Sequence, residues 1–370
     1  GPPRLGARTS HDPVRNAQPG PVAASPGQVT GGGVTLPPES GSRPPRLGVG
    51  PPFYTGRRAQ LGRVVMDAQL ARIHRPTGIT GPIGAAAAAS YLLGLSDQAT
   101  ASAVGLSANT TSGLNQWAHT GGSEMFFHPG FAARSAVTAA LLAEQGAFAS
   151  HDAIDGQAGL FASLNKAEAG KRFEMFSATP EILSVYHKPV PACNFAQTAT
   201  QAALSISHAH DVASKDIVGI RICVPHSAAV YPGCDFSGPF ENILQAKMSI
   251  QFNVTAALLH RGVTENNFAA LNDVELTRLL SLSTLEVDPR MTQAYPAKQG
   301  GEVFVTLTDG KVCHARLDNV INATHEIVQA RFKQAAILRL GQSRADTLEA
   351  FILNIENSQD VGLIGELMQA

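Results

Sequence analysis

The chain has 370 residues, a formal net charge of −1, and 44% hydrophobic against 15% charged residues. That is enough to build two or more cored domains, and the charge balance argues against a polyanion-binding protein, so no nucleic-acid partner is expected. The longest apolar stretch, Ile83–Leu95, falls short of the roughly 20 residues that a membrane-spanning helix needs.

The first part of the chain differs sharply in composition from the remainder. Residues 1–60 hold twelve of the 23 prolines and eleven of the 35 glycines, and only Asp12 and Glu39 oppose their arginines, while the first lysine is Lys166. Such a stretch buries too little apolar surface to offset its ordering entropy. Residues 1–72 are therefore expected to be an atypical, disordered Pro/Gly/Arg-rich segment, reading as a mistranslated or misannotated exon, with ordered sequence starting near Arg72. No apolar h-region marks a cleavable signal.

From there a helix is predicted over Ala85–Leu93, then a second one capped by Ser96 with Asp97 in its first turn. Pro129 is expected at the first turn of a third helix that closes near Gly146. The many alanines predict close helix approach. After Lys188 the texture changes: Ile217–Val224 is β-branched and reads as a strand, and EVFVTLTDGKVCHARL reads as a hairpin turning at Asp309-Gly310. KMSIQFNVTAALLHRG and DVELTRLLSLS read as helices, and the tail from Ala323 returns to amphipathic helix with Arg344 and Asp346 near a break. The expected class is mainly α with an α+β second unit.

No GxGxxG after a strand, no GK[ST] loop and no GxSxG elbow is present. His208 and His210 lie two apart on a predicted helix and point to different faces. The four cysteines, Cys193, Cys223, Cys234 and Cys313, lack CxxC spacing and read as reduced, buried thiols of a cytoplasmic protein. No metal and no cofactor are expected.

Four stretches stand out. HKPVPACNFAQTATQAAL places Lys188 directly before a proline, which pushes it off any helix and onto a stiff, extended mount. IHRPTGITGPIGAAAAASYLLGL puts His74 before a Gly- and Pro-rich turn that feeds a buried helix, whose free N–H groups suit a carboxylate. GLNQWAHTGGSEMFFHPGFAARSA places His119 and His128 on loops. ILQAKMSIQFNVTAALL sets Lys247 at the head of an apolar helix, as a snorkelling residue or a desolvated cation awaiting an anion. Two lysines and up to three histidines suit a small polycarboxylate and proton transfer beside its carboxylates.

As a set, KPVPACNFAQ, QAKMSIQFNVTAALLHRG, PTGITGPIGAAAAASYLLGL and MFFHPGFAA resemble the MmgE/PrpD family, which includes 2-methylcitrate dehydratase, cis-aconitate decarboxylase and iminodisuccinate epimerase. The resemblance implies a homodimer with an all-helical domain, here residues 73–185 rejoined by 323–370, and an α+β lid domain, here 186–322. It implies a cofactor-free site between them, with His74, Lys188 and Lys247 catalytic and His128 and Tyr295 contacting substrate. The function expected is a lyase on a di- or tricarboxylate, first a 2-methylcitrate-type dehydratase, with an epimerase, a decarboxylase or a catalytically incomplete chain as alternatives. Three departures stand against the family pattern. H-R-P-T-G is one residue longer than usual, which displaces His74. Met125–Phe126 replace a basic residue. The family's opening helices, with an Asp-rich stretch and a second histidine, find no counterpart in residues 1–72.

Overall fold

The computed structural model describes residues 61–170 and 185–369. The expectations for residues 1–60 lie outside the described residues. Helical structure begins well before Arg72: residues 61–65 are helical, and α1 comes next at Ala68–Ile73, capped by the Asp67 side chain on the Leu70 amide. Leu61 and Val65, four apart and so on one face of a helix, bury against Ile79 and Phe161. The arginines around them mask that pair in the sequence.

Three longer helices make the helical part: α2 (Pro76–Leu93), α3 (Asp97–Ala108) and α4 (Glu124–Glu144), all in mutual contact. Their seam is Ala89, Ala103 and Ala140, one from each helix and each 0% exposed. Helix α2 starts at Pro76, not Ala85. The segment expected to be a turn is helical, with Pro82 inside it. An interior proline deprives the carbonyl four residues earlier of its donor. Here that carbonyl belongs to Gly78, and it accepts from the amide of Ser112 instead, at 3.1 Å. Gly78 has to lack a side chain, since a Cβ would stand 1.8 Å from the Ser112 carbonyl oxygen.

The same correction applies to α4. Pro129 is not at its first turn; the helix starts at Glu124, and His128 lies within it rather than on a loop.

Residues after Lys188 form a four-stranded sheet, β1 (Ile217–Val224), β2 (Ser283–Val287), β3 (Gly301–Leu307) and β4 (Val312–Leu317), in the order β2-β1-β3-β4. β1 runs parallel to β2 and antiparallel to β3, and β3–β4 is the expected hairpin. Helices packed in the unit include α5 (Gln197–Ala209), α6 (Ile243–Met248) and α7 (Ile250–His260). Helix α5 packs on β3 and β4, and also against α7. The segment expected as one helix from Lys247 is thus two, broken at Ser249. The helix at Val274–Ser281 (α8) ends before Ser283, where β2 begins. Only Ser283 of this parallel partner of β1 falls within the expected helix, and residues 284–287 carry no expectation from the sequence.

The core of this unit is continuous, from Ile217, Ile220 and Ile222 through Val303 and Val305 to Phe252. The tail helices α9 (His325–Leu340) and α10 (Gln342–Leu353) pair with each other across Gly341. Together these elements make a helical part and an α+β part. No described helix is long and apolar enough to cross a membrane.

Candidate active site

The lysine segment is held from both sides. Lys188 lies in neither helix nor strand, and the two prolines around Val190 present carbonyls without competing N–H groups. Gln197, fully buried in the first turn of α5, clamps the loop with its side-chain amide. Its carbonyl oxygen accepts from the Val190 amide, and its nitrogen donates to the carbonyls of Val190, Ala192 and Cys193, each at 3.1 Å. From α9, Arg331 donates to the Lys188 carbonyl at 2.7 Å. The ammonium itself donates to the Ala192 carbonyl at 3.1 Å. Burial pushes the Lys188 pKa below the ordinary lysine value, and the positive charges of Arg75 and Lys247 push the same way, against the opposing pull of Cys193 and Cys234.

Lys247 lies in the last turn of the short helix α6. Its side chain is 13% exposed, pairs with Glu265 at 2.7 Å, and lies 4.8 Å from the ring centre of Phe268. Its backbone carbonyl accepts from the Cys193 amide at 2.8 Å. The two lysine-bearing segments are therefore joined directly, and the two charges are close enough to repel.

Arg75 carries no signal of its own in the sequence, where it counts only as the residue that lengthens the histidine motif. It is 6% exposed. Its guanidinium donates to the Met125 carbonyl at 2.5 Å and lies 5.7 Å from the Trp117 ring centre. Met125 stands four residues before Pro129, so its carbonyl is the one the proline leaves without a helical donor. An in-helix proline thus creates the acceptor that seats an arginine beside His128. No composition or spacing rule signals that.

His128 is buried, and its Nδ1 has no hydrogen-bond partner among the described residues. Burial lowers its pKa below the ordinary histidine value, Arg75 adds to this, and Glu124 opposes it. The Nδ1 of His74 is likewise buried without a partner among the described residues. The backbone of His74 is tied in through Asn115, whose side-chain nitrogen donates to the His74 carbonyl at 3.2 Å and to the Tyr231 hydroxyl at 3.5 Å. Buried imidazole nitrogens without partners are exceptional in folded proteins, and a carboxylate or hydroxyl ligand would satisfy them.

Aromatic hydroxyls border the same region. Phe195 packs between Tyr231 and Tyr295, with ring centres 5.3 and 5.9 Å away. Tyr186 donates its hydroxyl to the Asn194 side chain. Burial raises the pKa of all three tyrosines, so they stay protonated donors. A surface pocket of ≈ 310 Å³, lined by Ala118, Tyr231, Gly233 and Phe236 among others, shares Tyr231 with this cluster; neither lysine lines it.

The fold thus brings Lys188, Lys247 and Arg75 into one electrostatic cluster, sets His128 beside Arg75, and puts Tyr295 against Phe195. His74 joins through its backbone and Asn115. Such a set offers positive charge where a carbanion's carboxylate would build up negative charge, with imidazole and phenol groups to move protons.

Two family models and one curated relative match the chain. Residues 61–172 match the model of the MmgE/PrpD N-terminal domain, and residues 190–357 match that of the MmgE/PrpD C-terminal domain. Lys188 falls between the two matched stretches, and residues 61–72 lie inside the first. Human cis-aconitate decarboxylase is 25% identical over 314 residues, 80% of this chain. The chain spans 63% of the length of that curated relative. With both halves of the family's domain pair matched in order, the chain belongs to the MmgE/PrpD family.

Proposed function

We propose that the protein is a lyase on a small di- or tricarboxylate, and that its reaction begins with removal of a proton next to a carboxylate. The observation that carries this is the desolvated Lys188 ammonium, with Arg75 and Lys247 near enough to depress its pKa. An enediolate-like species concentrates negative charge on a carboxylate, and cations in a dry site stabilise it far more than water would. His74 or His128 takes or returns the proton, since each imidazole has a buried nitrogen without a partner among the described residues. Protonated tyrosines hold the remaining oxygens.

Loss of the β-hydroxyl then completes a dehydration of the 2-methylcitrate type, the first reading. The similarity to human cis-aconitate decarboxylase supports a second, in which a carboxylate departs as CO2 and the alkene carbon is protonated. Both use the same charge stabilisation, so product analysis on 2-methylcitrate, citrate and cis-aconitate separates them. Lys188→Ala is expected to lower turnover by about 100-fold or more without loss of the folded state by circular dichroism. Unchanged turnover in a folded variant refutes the role of Lys188, and no turnover of any of the three substrates by the parent chain refutes the reading.

A further inference from the structure

Two of the four cysteines meet. Cys223 and Cys313 lie in strands β1 and β4 of the sheet, but Cys193 and Cys234 belong to separate loops and their sulfurs stand 3.6 Å apart. Both are fixed by the junction of α6 and α7. The Cys193 amide donates to the Lys247 carbonyl at 2.8 Å, and the Ile250 amide donates to the Cys234 carbonyl at 2.9 Å. The thiols are not equivalent. Cys193 is partly exposed, whereas Cys234 is fully buried. Cys193 is the residue from which residues 194–209 run on as helix. The Cys234 S–H holds the Cys193 pKa below the ordinary thiol value, helped by Lys188 and the amides of Phe195 and Ala196. Burial pushes Cys234 the other way and keeps its proton on. A partly exposed thiol whose sulfur touches that of a buried thiol is the pairing of an attacking and a resolving cysteine.

We propose that Cys193 and Cys234 form a modification site for hydrogen peroxide and related two-electron oxidants, with Cys193 the nucleophile and Cys234 the resolving thiol. The Cys193 sulfur attacks one peroxide oxygen, the O–O bond breaks, and the departing hydroxide takes a proton to leave as water; Cys193 becomes a sulfenic acid. The Cys234 sulfur then attacks the Cys193 sulfur, the S–O bond breaks, and the Cys234 proton leaves with that oxygen as a second water. Two thiols and one peroxide give one disulfide and two waters. Closure shortens the sulfur separation from 3.6 Å to about 2 Å. It draws on the loop whose Ala192 carbonyl holds the Lys188 ammonium.

The test uses the full chain and counts thiols, so it stands apart from the lyase reading. Reduced protein is titrated with hydrogen peroxide, the remaining thiols are blocked with N-ethylmaleimide, and the digest is mapped by mass. The expected result is a Cys193–Cys234 linked peptide, with Cys223 and Cys313 still alkylated and all four thiols restored by dithiothreitol. Cys234→Ala should instead accumulate a dimedone-reactive Cys193, and Cys193→Ala should slow thiol loss by about 10-fold or more. Retention of all four thiols under peroxide that oxidises free cysteine, or oxidation of the parent chain without the linked peptide, overturns the proposal. Both readings come from the unsubstituted chain, so they hold even where a variant fails to fold.

Discussion

The helical part and the sheet unit solve the packing problem in opposite ways. Between α2, α3 and α4 almost nothing intervenes: Ala89, Ala103 and Ala140 meet at 0% exposure, and a Cβ on Gly81 would stand 2.9 Å from that of Ala132. The bulky residues of α4 face outward instead, with Phe127 55% and Phe131 50% exposed in the single chain. Around the sheet the interior is filled by Ile and Phe, and Phe252 stacks on Phe268 and meets Phe240 edge-on. The helical part derives its stability from backbone proximity, while the sheet unit derives it from side-chain volume. The first should therefore fail on addition and the second on removal.

The largest expected effect tests the second half of that contrast. Phe252→Ala empties a fully buried site and should cost about 3–5 kcal/mol, read from the midpoint shift in urea unfolding. A cost below about 1 kcal/mol would mean that the core there collapses freely. Ala140→Leu, which forces new carbons into the alanine seam, should cost about 1–3 kcal/mol. A neutral or stabilising result would show that the helices are free to separate.

The smallest effect lies between the two parts, at Lys188. Folding disfavours its ammonium, so below its lowered pKa the folded chain bears the full desolvation cost. The unfolded chain holds that proton up to the ordinary lysine range. Stability from this group therefore rises with pH between the two values. Lys188→Met removes the cost and should be more stable than the parent at neutral pH, with the difference shrinking as pH climbs into the alkaline range. A difference independent of pH across thermal melts would show that the residue acts through packing alone.

Much of the fold is legible in the sequence because it rests on periodicity. The β1 strand, the β3–β4 hairpin and the Ser96-capped helix come from alternation, Asp309-Gly310 and a cap. The features that escape are those in which one part of the chain repairs another. Pro82 and Pro129 read as helix starts or turns because nothing local shows that Ser112 and Arg75 supply the missing partners. In the candidate site, Lys188 stands out in the sequence by its prolines and Lys247 by the apolar helix that follows it. Arg75 and the Cys193–Cys234 contact are not, since both depend on residues 50 and 41 positions apart meeting in space. Leu61 and Val65 stay hidden because one buried helical turn, flanked by arginines, is too short to mark where ordered sequence starts.

The interruption at Ser249 has a consequence beyond ending a helix. The Ser249 hydroxyl donates to the Phe236 carbonyl at 2.5 Å and accepts from the Phe252 amide at 2.9 Å, so the break is fastened and rigid. In an unbroken helix the Lys247 carbonyl would face the amide of Gln251. Released from that duty, it receives Cys193 instead. A hydroxyl thus acts as a rivet: it holds open a backbone acceptor through which two cationic segments, far apart along the chain, keep a fixed spacing.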